Sequence, residues 1–162
     1  YLRAQYDQAD YGVSADFLKP VLYNTPAGAR FANFADSWNK SILADATPDG
    51  AYNALATILG LNDYLAPRGE AAMAGFKPEY VRDWTANLIA DTGGRSKVYP
   101  GIGVGVGDGG KSKAITPDEV SAATHAAFDG GAHGVLISRN YSEAELAGLA
   151  AVGDVIKARG LW

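Results

Sequence analysis

Val98-Tyr99-Pro100-Gly101-Ile102-Gly103-Val104 runs into Gly105-Val106-Gly107-Asp108-Gly109-Gly110, an apolar strand pattern followed by a glycine-rich turn. Thr116-Pro117-Asp118-Glu119 then opens a helix, Gly130-Gly131-Ala132-His133-Gly134 ends it, and Val135-Leu136-Ile137-Ser138-Arg139 follows as a short apolar strand. Strand, helix, strand in that order is a βαβ unit, whose two strands lie parallel with a right-handed crossover. In parallel α/β sheets the chemistry sits beyond the carboxyl ends of the strands. Two segments are marked at once: the loop holding Asp108, and Ser138-Arg139-Asn140-Tyr141.

Upstream, Phe17-Leu18-Lys19-Pro20-Val21-Leu22-Tyr23 reads as another apolar strand, with Asn24-Thr25-Pro26-Ala27-Gly28 as the loop that leaves it. Residues 1–12 carry Tyr1, Leu2, Gln5, Tyr6 and Ala9 at the spacing of a short helix ending near Gly12. Phe31, Phe34, Ala35, Trp38 and Ile42 repeat as one helical stripe. Thr47-Pro48 is an N-cap with a first-turn proline, opening a helix with Tyr52, Leu55, Ala56 and Leu59. Residues 60–76 read as loop. Lys77-Pro78-Glu79 starts a helix that buries Tyr80, Val81, Trp84, Leu88 and Ile89. Ser142-Glu143-Ala144-Glu145 has capping-box spacing ahead of a last helix with Leu146, Leu149, Val152, Gly153 and Ile156 inside.

Length and composition bound the rest. The 162 residues predict a single α/β domain over 1–162. A hydrophobic share of 48% with 20% charged residues is ordinary for a globular chain. A net charge of −4 without a basic cluster argues against nucleic acid as a partner. No apolar run approaches the roughly 18 residues of a membrane span. The absence of cysteine excludes disulfides and thiol chemistry, and two histidines make a multi-histidine metal site improbable. No metal or other cofactor is expected.

Three parallel strands leave two bare edges, and an eight-fold barrel usually needs about 250 residues. The alternatives are a small open sheet or the closing part of a barrel whose other strands lie elsewhere. The stretches Lys19-Pro20-Val21-Leu22-Tyr23, Val98-Tyr99-Pro100-Gly101-Ile102-Gly103 and Gly134-Val135-Leu136-Ile137-Ser138-Arg139-Asn140-Tyr141 bear on that choice. They resemble a group of bacterial glycoside-hydrolase-like (β/α)8-barrel proteins, across nearly the whole chain. The resemblance implies the carboxyl-terminal part of a TIM-type barrel, about strands six to eight, and hence an incomplete barrel in this chain. It also implies O-glycosyl hydrolysis, with carbohydrate as partner, and either the missing barrel segment or a second copy covering the sheet edges. A secreted or periplasmic location is compatible with that group, but the sequence does not determine the compartment. In related sequences an acidic residue often falls soon after Tyr-Pro-Gly-Ile-Gly; here the first carboxylate is Asp108.

Glycosidic hydrolysis takes two carboxyl groups, about 5 to 9.5 Å apart. Asp108 is the candidate acid, although Asp-Gly turn chemistry at Gly109 explains the residue fully and is the favoured reading. Asp45, Asp63 and Glu70 are weaker substitutes for the second carboxylate. Lys19 shares a side with Val21 and Tyr23, but alternation does not say whether that side faces a pocket or solvent. Tyr23 and Asn24 offer an aromatic platform and an amide to a sugar, against plain packing of the ring. Ser138, Arg139 and Tyr141 close the last strand, and Arg139 suits a carboxylate or another anion. Trp38 and Trp84 read as core, His125 as solvent-facing, and His133 as a residue of the opposite, structural end. A phosphosugar-binding enzyme and a non-catalytic carbohydrate-binding or assembly piece are the competing functions.

Overall fold

The computed structural model describes residues 8–105, 114–138 and 144–162, with side chains from residue 10 onward. Its elements run α1 (Gln8–Ser14), β1 (Phe17–Leu18), α2 (Asn24–Asn39), α3 (Pro48–Ile58), a 3₁₀ turn (Asn62–Tyr64) and α4 (Ala71–Ala74). They continue with α5 (Glu79–Asp91), β2 (Lys97–Val98), β3 (Gly101–Gly103), α6 (Pro117–Asp129), β4 (Leu136–Ser138) and α7 (Leu146–Ala158). The chain is mixed α/β but mostly helical, at 56%.

The expected strand six-to-eight part of a TIM-type barrel is overturned. Among the described residues there are two parallel pairs of two strands each, β1 with β2 and β3 with β4, and no barrel unit or extended parallel sheet. The prolines are the local reason. Pro20 and Pro100 have no N–H to give a ladder, so the expected seven-residue strands shorten to elements of two or three residues. An isolated parallel bridge, Val21 to Gly101, joins the two pairs. Residues 97–104 therefore run in the middle. On one side Tyr99 N donates to Leu18 O at 2.9 Å and Gly101 N to Pro20 O at 2.8 Å. On the other, Leu136 N donates to Pro100 O and Val104 N to Ser138 O, both at 2.9 Å.

Alternation divides these segments into two faces. Leu22, Ile102 and Val104 point to one side and are 1% exposed, packed with Val81 of α5, Val120, Ala123 and Ala127 of α6, and Val152 of α7. Phe17, Lys19 and Val21 point to the other side and are exposed. A parallel ladder is normally covered on both faces. Here the described helices cover one.

A second apolar cluster forms in the insert between α2 and α5. Phe31 and Ala35 of α2 meet Tyr52, Leu55 and Ala56 of α3, with Leu61, Ala71 and Phe76 closing it. The α2 stripe is narrower than expected. Phe34 is 43% exposed, and Ile42 lies beyond the helix at 73% exposure, because the chain leaves α2 at Asn39 and turns toward α3. Trp38 and Trp84 are partly buried against the two clusters.

Helix ends follow local chemistry. Thr47 caps α3, its hydroxyl accepting from Gly50 N, with Pro48 in the first turn. Thr116 and Glu119 form a reciprocal capping box on α6, where two orphan amides are satisfied at once. The capping box expected from Ser142 to Glu145 does not start α7: Glu145 is itself the N-cap, without a side-chain cap bond, and Ser142 lies outside the described residues. The inner face of α7 is accordingly Gly148, Val152 and Val155, while Leu146 is 83% exposed.

Candidate functional site

The carboxyl ends of the central segments bring three of the expected site residues onto one face. Lys19 Nζ donates to the Tyr23 hydroxyl oxygen at 3.0 Å and stands 5.5 Å from the Tyr23 ring centroid. Beneath them lies bare backbone. A Cβ placed on Gly101 would sit 2.9 Å from Tyr23 Cε1 and 3.0 Å from Lys19 Cε, so the ring and the lysine stem rest directly on that glycine. Gly103 lies further along the same face, between Tyr23 and Ile115. Ser138 is in parallel register with Gly103 and so stands on the same side, flanking the floor from the opposite strand.

Lys19 is exposed and not buried in an apolar strand. The alternation that puts it beside Val21 and Tyr23 therefore leads to the uncovered face. Among the described residues no carboxylate lies within ion-pair distance of Lys19; its hydrogen-bond partner is the phenol oxygen. The ammonium sits at the hydroxyl edge of the ring, held by the phenol oxygen, and leaves the ring face clear. The pair presents an aromatic face, a phenol oxygen and an ammonium together.

Asn24 does not join them. The chain turns into α2 after Tyr23, and the Asn24 side chain points into the protein, 7% exposed, its Nδ2 donating to Phe76 O at 3.1 Å. Phe76 N returns a bond to Asn24 O at 2.8 Å, pinning the start of α2 to the end of the insert. Asp108, Arg139 and Tyr141 lie outside the described residues. Asp45, Asp63 and Glu70 are exposed on the insert.

The histidines are placed as structural groups. His125 is exposed and its Nδ1 lies 3.1 Å from Arg159 Nη2, which also reaches Asp129 Oδ1 at 2.6 Å. His133 Nδ1 accepts from Val98 N at 3.3 Å, at the amino-terminal end of the strands. That same end holds an open depression of about 730 Å³ lined by Asp16, Phe17, Arg95 and Lys97 among others. In parallel α/β folds that end serves stability more than chemistry.

Among the described residues no cluster of three metal-ligating side chains occurs, and no helix is long and apolar enough to cross a membrane. Sequence reasoning missed the role of Gly101 and Gly103, which it read as parts of a strand. The signal was present: a glycine inside a strand pattern marks a place where another group approaches the backbone closely. Compared with family models, curated proteins and solved structures, the chain matches none.

Proposed function

We propose that this chain binds carbohydrate on the uncovered face of its parallel segments, in a glycoside-hydrolase-like role. The observation that carries the reading is the Lys19–Tyr23 pair lying over the Gly101 floor, with Ser138 alongside Gly103. A sugar ring has an apolar C–H face and a rim of hydroxyls. An aromatic surface suits the first, while an ammonium and two hydroxyls suit the second. Hydrolysis needs two carboxyl groups in addition, and Asp108 is the sequence candidate for one of them.

A second reading has its own support. Lys19 lacks a carboxylate partner among the described residues, so its charge favours a sugar bearing phosphate or carboxylate over a neutral one. Binding that weakens steeply with salt points to the anionic sugar; binding indifferent to salt points to the neutral one.

Gly101→Ala tests the site itself. The added methyl meets the far ends of two flexible side chains, with Pro20 O at 3.3 Å, so the cost to folding stays small while the Lys19–Tyr23 pair is pushed off the floor. Calorimetric titration with an oligosaccharide panel should show affinity falling by at least about tenfold, the equivalent of one lost charge-assisted hydrogen bond, with Tm moving by only a few degrees. Tyr23→Ala should do the same. If both variants bind like the parent, the carbohydrate site is not on this face. Asp108→Asn in the same assay separates roles: turnover lost with binding kept assigns it to hydrolysis.

A further inference from the structure

We infer that the chain holds a second sugar site, a cavity of about 400 Å³ on the far side of Tyr23 where α2, α5 and α6 begin. The inference rests on the carbohydrate reading above and places another ring in a different part of the fold. The volume falls within the range of small-molecule sites, roughly 300 to 1,000 Å³.

Two of its lining residues, Asn24 and Thr25, carry a side-chain oxygen that no described residue bonds. Asn24 is 7% exposed and spends its Nδ2 on Phe76 O, which fixes the orientation of the amide; no described residue donates to its Oδ1. Thr25 is 3% exposed, and its hydroxyl forms no hydrogen bond among the described residues. A buried polar atom without a partner costs roughly 1–3 kcal/mol. Among the described residues the one such atom sealed from solvent is Thr85 Oγ1. Asn24 Oδ1 and Thr25 Oγ1 therefore keep some contact with solvent, and both residues line this cavity.

The remaining wall selects the ligand class. Tyr64, Phe76, Pro78, Ala74 and Ala122 make it mostly apolar. At the mouth, Asp118 and Lys77 stand with opposite charges and no ion pair of their own among the described residues; Lys77 Nζ donates to Asp63 O at 2.9 Å. Glu119 also lines the cavity, its carboxylate accepting from Thr116 N at 2.9 Å. The carboxylates oppose an anion and the ammonium opposes a cation. An acceptor, a hydroxyl, a carboxylate and an ammonium around an apolar wall match a neutral polyol ring with a C–H face, a single hexose or N-acetylhexosamine.

The test is a heteronuclear NMR titration of the whole chain with glucose, mannose and N-acetylglucosamine into the high-millimolar range. Shifts should appear at the Asn24 side-chain amide and at the Thr25, Gly75 and Ala122 backbone amides. Thr25→Val should weaken the response by several-fold to tenfold, and Ala122→Trp or Ala74→Phe, which block the mouth from two sides, should abolish it. Tyr23→Phe should leave it intact. Shifts confined to Tyr23 and Gly101–Gly103 would overturn the second site and leave the first standing. No shift at either place, here and with oligosaccharides, would remove both. A cavity response to inorganic phosphate but to none of the sugars would also overturn the assignment.

Discussion

Gly28→Ala is expected to cost roughly 3 kcal/mol or more of folding stability, the upper end for overpacking a close contact. A methyl on Gly28 would lie 2.0 Å from Ala71 O and 2.8 Å from Gly75 Cα. Both are backbone atoms, so no side chain can swing away; α2 and α4 must separate. Gly75 faces the same contact from the other side. Its φ of +71 and ψ of −161 belong to glycine alone, and a methyl there would meet Thr25 Cα and O at 2.7 Å. Thermal unfolding of Gly28→Ala should show Tm lowered by about 6–12 °C for a chain of this size. Gly75→Ala should be comparably destabilised. The double variant should fall short of the sum, because each change opens the same gap. A Tm within two or three degrees of the parent for Gly28→Ala would mean that α2 and α4 do not touch as described. The contact reaches beyond stability, because it sets where α2 begins and therefore where Asn24 and Thr25 stand.

The second large effect belongs to the main core. Ile102 is 1% exposed in the central segment and packs with Leu22, Val104 and the residues that α5, α6 and α7 turn inward. Ile102→Ala should destabilise by about 2–5 kcal/mol, the lost transfer energy plus the cavity left behind. Denaturant unfolding with an unchanged m-value would locate that loss in the native core. Leu136 provides the contrast. It is 39% exposed on the uncovered face, in register with Gly101, so Leu136→Ala should cost far less. Equal losses at the two positions would show that the uncovered face is packed in solution.

Thr47-Pro48 and Thr116-Pro117 with Glu119 announced their helices because capping is local chemistry, satisfied within four residues. The parallel pairing of the segments around residues 17–22, 97–104 and 134–138 was legible for a similar reason. Apolar runs separated by a helix leave little choice of direction. The extent of pairing was not legible. The apolar runs around Pro20 and Pro100 predict seven-residue strands, but a proline gives the ladder no N–H. The pairs shorten to two or three residues without forming part of a barrel among the described residues.

The candidate site divides in the same way. Lys19 and Tyr23 share a face by alternation, which the residue order alone settles, since successive side chains in an extended segment point oppositely. Whether that face is covered depends on where α5, α6 and α7 pack, and all three lie behind Leu22, Ile102 and Val104. Asn24 follows Tyr23 directly, yet the turn into α2 sends it to the other side to meet Phe76, 52 residues away. No local pattern encodes such a partner. Spacing, capping and turn chemistry act over a few residues and are written in the order of the chain. Burial, the orphaned polar atoms and the cavity arise from contacts between distant segments, and only the folded arrangement creates them.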